Sequence, residues 1–139
     1  MYLMRLIYCS KVTSVFKTED IDHILETARK RNKDQNITGV LCFNRKYFLQ
    51  CIEGSREAVN DAYHRILKDP RHDGIILLGY SQIFHRDFDT WQMAFVPEKK
   101  ITDEINLKYS QTRDFDPFTM NGESTYQMPL ELSKNIPAI

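Results

Sequence analysis

The stretch from Ile37 to Gly54 constrains the fold more than any other. It reads as two β-rich runs, Ile37 to Phe43 and Tyr47 to Gly54, around a polar tip of Asn44, Arg45 and Lys46. That is the pattern of a hairpin. In the second run Phe48, Gln50 and Ile52 share one side, and Tyr47, Leu49 and Cys51 the other. Both rows are mostly apolar, as expected of a central strand covered on both faces. Gln50 is the exception. A buried amide without partners costs about 1–3 kcal/mol, so backbone, another side chain or a ligand should meet it.

The flanking segments supply what a hairpin needs to become a sheet. Tyr2 to Cys9 reads as a first strand, with Met4, Leu6 and Tyr8 on one face, and Ser10 to Lys17 as a polar connection. Thr18 is suited to cap a helix whose first turn holds Glu19, Asp20 and Asp22. Ile21, Ile24, Leu25 and Ala28 then form one apolar stripe. The helix is expected to end at Arg29, Lys30, Arg31 and Asn32, with Lys33 to Asn36 as a turn. After the hairpin, Ser55 caps a second helix with Val59, Ala62, Tyr63, Ile66 and Leu67 at helical spacing, and Asp69-Pro70 stops it. A turn from Arg71 to Gly74 leads to a strand from Ile75 to Tyr80, extending as far as Phe84. A polar loop and a last strand, Trp91 to Val96, follow.

This order, β-α-β-β-α-β-β, predicts an α+β, ferredoxin-like split β-α-β arrangement with a five-stranded mixed sheet. Right-handed crossovers place both helices on one face. In this reading the first and third strands are adjacent and parallel. Residues 1–97 form the domain. Residues 98–139 are a polar extension with a helical segment from Glu123 to about Lys134, interrupted by Pro129, and are expected to pack on the other face.

Composition narrows the function. The chain has 139 residues with 19 basic and 19 acidic side chains. That balance gives no electrostatic reason to expect nucleic acid or an anionic membrane as partner. Cys9, Cys42 and Cys51 lie in strands without metal or redox spacing, as buried thiols of a cytoplasmic protein do. No apolar run approaches a membrane span. His23, His64, His72 and His85 show no metal-ligand spacing, and no glycine-rich phosphate loop is present. What remains is polar chemistry near the sheet: Tyr8 and Gln50 on neighbouring strands, Asn32 at a helix end, and a corner of Arg65, Asp69, Arg71 and His72. Each has a plain structural reading, as a packing pair, a cap or a solvated helix end. Each also suits a ligand between sheet and helices.

Taken together these residues resemble the BLUF family, the flavin-binding blue-light sensors, over roughly residues 2 to 97. The likeness is carried by Leu6-Ile7-Tyr8-Cys9-Ser10, Arg31-Asn32, Ile37-Thr38-Gly39-Val40-Leu41, Phe48-Leu49-Gln50-Cys51-Ile52-Glu53-Gly54, Asp69-Pro70-Arg71-His72 and Trp91-Gln92-Met93. The resemblance implies FAD, or FMN in the isolated protein, held without a covalent bond between the helices. It assigns Ile24 and Ile66 to the two sides of the ring and Asn32 to its carbonyl and N3 edge. Arg65, Asp69, Arg71 and His72 take the polar edge and chain, with Arg31 at a variable polar position. Ala28 stands where the family often has Ser, so one hydrogen bond to the cofactor side is expected to be missing. Tyr8 and Gln50 match the photoactive pair, and Trp91 and Met93 match two residues whose placement relative to the flavin differs within the family.

The implied function is a photoreceptor rather than an enzyme. Light-driven electron and proton transfer from Tyr8 rearranges the hydrogen bonds of Gln50. The resulting red-shifted state is relayed through the last strand and the extension to a partner protein, or through self-association into a homo-oligomer, since the segment after Pro97 is too short for an effector domain. Two other functions use the same scaffold. An acyl- or phosphoryl-hydrolase needs an anion-cradling loop with arginine after the first strand, where Ser10-Lys11-Val12-Thr13 offers neither Gly nor Arg. An RNA-binding module needs an aromatic platform with a basic surround, which the third strand lacks.

Overall fold

The computed structural model describes residues 2–88 and 93–134. Its sheet has five strands: β1 (Leu3–Val12), β2 (Thr38–Phe43), β3 (Tyr47–Ser55), β4 (His72–Ile83) and β5 (Ala94–Val96), in the order β4-β1-β3-β2-β5. Helices α1 (Ile21–Gln35) and α2 (Arg56–Leu67) are the two crossovers. Helices α3 (Asp103–Tyr109) and α4 (Gly122–Ser133) belong to the C-terminal segment. The ferredoxin-like α+β fold with a mixed sheet is as the sequence predicts. One pairing differs. β1 and β3 are adjacent but antiparallel. A right-handed crossover makes β1 parallel to β2, and the hairpin then reverses β3. The parallel pair is instead β2 with β5.

Local chemistry sets most boundaries. At the hairpin tip the Asn44 side-chain oxygen accepts from the amides of Lys46 and Tyr47, both at 2.8 Å. Ser55 caps α2 by accepting from Ala58 N at 3.1 Å. Thr18 does not cap α1. It opens a 3-10 turn, Thr18–Asp20, and makes no capping bond. At its other end α1 runs past Asn32 to Gln35 and closes on Asn36 in the left-handed region, φ 56°, a conformation that asparagine tolerates well. β1 continues to Val12 and β4 begins at His72, because the two pair at Val12–His72 and Lys11–Asp73. β5 is confined to Ala94–Val96, and Trp91 lies outside the described residues.

The sheet separates two cores. Met4, Leu6, Tyr8 and Ile52 pack with Leu25 of α1, Val59 and Ala62 of α2, and Met93. Ile7, Cys9, Leu49, Cys51, Val40 and Cys42 pack on the opposite face with Phe115, Met120, Met128 and Leu132. The C-terminal segment therefore covers the second face. Asn121 caps α4 through Ser124 N at 2.8 Å, and Pro129 is accommodated inside it.

Among the described residues one charged side chain is fully buried. Glu53 accepts from Arg5 Nε at 2.9 Å and from the backbone amides of Asp87 and Phe88, each at 2.9 Å. Arg5 also reaches Asp87 at 2.6 Å, Tyr126 of α4 donates to Asp87, and the Arg5 guanidinium lies 4.3 Å from the Tyr126 ring centre. Arg86 bonds Thr38 Oγ1, the Glu53 carbonyl and the Asn36 carbonyl at 2.8, 3.0 and 2.7 Å. The segment after β4 is thus fastened to β3 and to α4 by satisfied charge-assisted bonds.

At Gly39 a neighbouring backbone leaves no room for a side chain: a Cβ there would lie 2.1 Å from the Cys51 carbonyl oxygen. Because the obstruction is main chain of a central strand, Gly39→Ala should destabilise by at least the roughly 1–3 kcal/mol of an overpacked core. Urea denaturation should show the loss as a lower midpoint.

Candidate functional site

The site is a cavity of about 160 Å³ between α1, α2 and the sheet. Its floor comes from alternation. Tyr8 stands directly opposite Gln50 in the β1–β3 register, and Ser10 opposite Phe48, so all four side chains emerge on the helix-covered face. The walls are Ile24 and Ala28 of α1 and Ala62 and Ile66 of α2. Arg31, Asn32, Arg65, Asp69, Arg71 and His72 gather at the polar edge.

The Tyr8 hydroxyl donates to the Gln50 side-chain carbonyl. Gln50 Nε2 in turn donates to the Met93 sulfur at 3.3 Å. Tyr8 is 1% exposed, and burial, with the Asp69 carboxylate adding to it, pushes its phenol well above the ordinary value. At neutral pH Tyr8 is therefore a protonated donor. Met93 is buried, and its carbonyl accepts from Arg29 Nε at 3.1 Å. Gln50 is thus joined on one side to β1 and on the other to the chain leading into β5.

The polar edge is organised by a tight turn. Asp69 accepts from the Arg71 amide at 2.9 Å and from the Arg71 guanidinium in a two-pronged bond. Burial opposes the Asp69 charge, but the Arg71 bonds outweigh it and hold the carboxyl below its usual range. Arg65 donates to Gln35 Oε1 at 2.8 Å. His72 Nδ1 lies 2.7 Å from Ser10 Oγ, with its ring 4.6 Å from that of Phe48. Burial lowers the His72 pKa to about 4, so the ring is neutral near pH 7.

Twelve of the thirteen residues singled out in the sequence line this one cavity: Tyr8, Ile24, Ala28, Arg31, Asn32, Gln50, Arg65, Ile66, Asp69, Arg71, His72 and Met93. Trp91 falls outside the described residues. The sequence reading omitted Phe16, Ile21, Leu41, Phe48, Ile52 and Ala62, which also line it. Phe48 and Ile52 were open to inference, since they alternate with Gln50. Phe16 was not, because it lies in an irregular connection and reaches the site through ring contacts with Phe48 at 5.2 Å and Phe43 at 5.9 Å. Among the described residues no group of three or more His, Cys, Asp or Glu could hold a metal ion. Among them too, no helix is long and apolar enough to cross a membrane.

The low His72 pKa has a consequence for stability. The unfolded chain takes up this proton near pH 6.5, whereas the folded one takes it up only near pH 4. The imidazole contribution is present above pH 6.5 and is lost as pH falls through that window, with a slope of at most about 1.4 kcal/mol per pH unit. Denaturation midpoints should decline over this range, and His72→Gln should flatten the decline. Asp69, held below its ordinary carboxylate range, adds to the decline only at the acid end of this window.

The model of the BLUF family, described as sensors of blue light using FAD, matches residues 3–94. The photoactivated adenylate cyclase subunit beta of Euglena gracilis is 32% identical over 100 residues, which is 71% of this chain and 12% of that protein. The blue light- and temperature-regulated antirepressor BluF of Escherichia coli (strain K12) is 37% identical over 76 residues, 55% of this chain and 19% of that protein. This chain spans less than a fifth of either. Among solved structures, BlsA in its photo-activated state superposes with a TM-score of 0.85 at 28% identity, covering 99% of this chain and 98% of that one. The dark state of BlrB, a BLUF protein, gives 0.79 at 29% identity, covering 97% and 98%. The chain belongs to the BLUF family of flavin-binding blue-light sensors.

Proposed function

We propose that Tyr8 and Gln50 are the photoactive pair of this sensor, and that a change in their hydrogen bonding is carried to the C-terminal segment. The observation behind this is the Tyr8 hydroxyl donating to the Gln50 carbonyl on the floor of the cavity. The residues suit FAD. Gln50 spends an amide hydrogen on a thioether at 3.3 Å, a weak acceptor, so a ring nitrogen or carbonyl offers it a better partner. Ile24 and Ile66 provide flat apolar contact on two sides. Asn32 offers a donor and an acceptor to a ring edge. Arg65, Arg71 and Arg31 are cations in the cavity lining and would hold a phosphate-bearing chain. Ala28 adds no hydrogen bond there, and Asp69 and His72 hold the rim through Arg71 and Ser10.

Flavin, when bound, would supply the chromophore for blue light and the acceptor for an electron. Tyr8 supplies that electron and its hydroxyl proton. Gln50, released from Tyr8, turns its amide, because one small group carries both donor and acceptor. Met93 loses or changes its contact with Gln50, and β5 begins at the next residue. Ala94 and Val96 of β5 share a core with Met128 and Leu132 of α4, which links the pocket to the tail. A second link runs from Glu53, on the same strand as Gln50, through Asp87 to Tyr126. Residues 1–97 form the flavin unit and residues 98–139 the output element, acting on a protein partner or on a second copy. No residue is assigned to turnover.

The purified protein should carry a flavin band that moves to longer wavelength under blue light and returns in the dark. Tyr8→Phe and Gln50→Leu should retain flavin and lose that shift. A normal photocycle in either variant refutes the assignment, and a protein that cannot be loaded with flavin refutes the binding site. Tyr126→Phe should preserve the spectral shift while raising amide exchange in α4 in the dark. Unchanged exchange would remove the second link.

A further inference from the structure

The two edges of the sheet are built differently. β5 is short, Ala94–Val96, whereas β4 runs from His72 to Ile83 and, among the described residues, pairs on one side only, with β1. Long edges are normally blunted by lysine, proline or a covering segment, since their free amides and carbonyls accept another strand. β4 has no such protection in its sequence. From Gly74 to Phe84 there is no charged residue and no proline. Ile76, Leu77 and Tyr80 are 47%, 48% and 42% exposed, and Phe84 beyond the strand is 94% exposed.

The pattern of faces along β4 identifies the partner. Leu77, Tyr80 and Gln82 stand opposite Tyr8, Leu6 and Met4 and share their helix-covered face. Ile75 packs into the same core. Ile76, Gly79 and Ser81 stand opposite Cys9, Ile7 and Arg5 on the other face, and Leu78 packs into that second core. The register shift at Ile7/Tyr8 interrupts the alternation between Leu77 and Gly79. The order of faces is therefore palindromic about the midpoint between Leu78 and Gly79. An antiparallel partner must place each residue opposite one on the same face. A second β4, related by a two-fold axis at this midpoint, does so at every pair from Ile75 with Gln82 to Leu78 with Gly79.

We propose that β4 is the dimer interface of this protein: two copies pair their β4 edges antiparallel about Leu78 and Gly79, joining their sheets into one. Leu77 then packs against Tyr80 of the second copy, twice, as an aliphatic–aromatic cross-strand pair. Asn60 of α2 already fixes the Tyr80 hydroxyl at 2.9 Å, which holds the ring in place. No charge lies opposite a like charge along Gly74 to Phe84. The contact is isologous and closed, as a two-fold requires.

The test uses the full, flavin-loaded chain. Sedimentation should give twice the mass of one chain, and Leu77→Asp should return it to the mass of one chain with the flavin band retained. Register is read by cross-linking. Leu77→Cys and Tyr80→Cys proteins, mixed and oxidised, should form a disulfide-linked dimer. Leu77→Cys alone should not, since its two copies lie about 10 Å apart along the strand, beyond the roughly 7 Å that a disulfide spans. A single-chain mass at every concentration overturns the proposal. So does cross-linking of Leu77→Cys alone with equal yield, which would mean another register.

Discussion

Tyr8 meets Gln50 because β1 and β3 run antiparallel with these two residues directly paired. Much else depends on that register. Moving β3 by one residue would turn Gln50 toward the tail and bring Leu49 or Cys51 into the cavity. The register is fixed from both sides. Leu49 and Cys51 are 0% exposed under the C-terminal helices, while Phe48 and Ile52 are 3% and 2% exposed under α1 and α2. A slip would place polar groups in both cores at once. The hydrogen bond is therefore held by packing that has no part in it, and it can be rearranged without disturbing the sheet.

Two clusters of charge flank the site. At one end of the sheet Asp69 and Arg71 neutralise each other at the rim, and His72 bonds Ser10 beside them. Toward the other end of β3, Glu53 is surrounded by donors from Arg5 and from two backbone amides. Removing one donor would leave a buried charge under-compensated, which is far more costly than losing an exposed pair. Between these clusters lies an apolar slot with one amide and one phenol on its floor. That contrast makes the Gln50 environment a place where a small change in partners has a large energetic effect.

The fold class and both crossovers were legible because they rest on periodicity, and the layer formed by the tail because the two helices leave the other face of the sheet open; α4 nevertheless runs uninterrupted through Pro129. Ile24, Ala28 and Ile66 were placed by helical spacing together with the likeness to a family. The direction of β1 against β3 was misread, although the topology fixes it, because adjacency was taken as parallelism. Thr18 was misread because a short polar residue before an acidic turn is a cap only when the first helical amide lies within its reach, and here a 3-10 turn intervenes. Glu53 gave no signal beyond its place in a motif. Its partners Arg5, Asp87 and Phe88 are remote in sequence, and an acidic residue at a strand end ordinarily faces water. Phe16 escaped for the same reason, since its contacts arise only once the chain has closed.

Cys9, Cys42 and Cys51 are 0% exposed and belong to the core that α4 and the tail complete. Burial raises the Cys9 thiol to about 11 and pushes Cys42 and Cys51 up as well. Sulfur in that state is chemically silent, because the thiolate is the form that reacts. The silence is imposed by the covering helix and not by the cysteines themselves. Any event that lifts the tail from the sheet would bring three sulfurs toward water together, and a mechanical displacement would become a change in the redox character of the whole face.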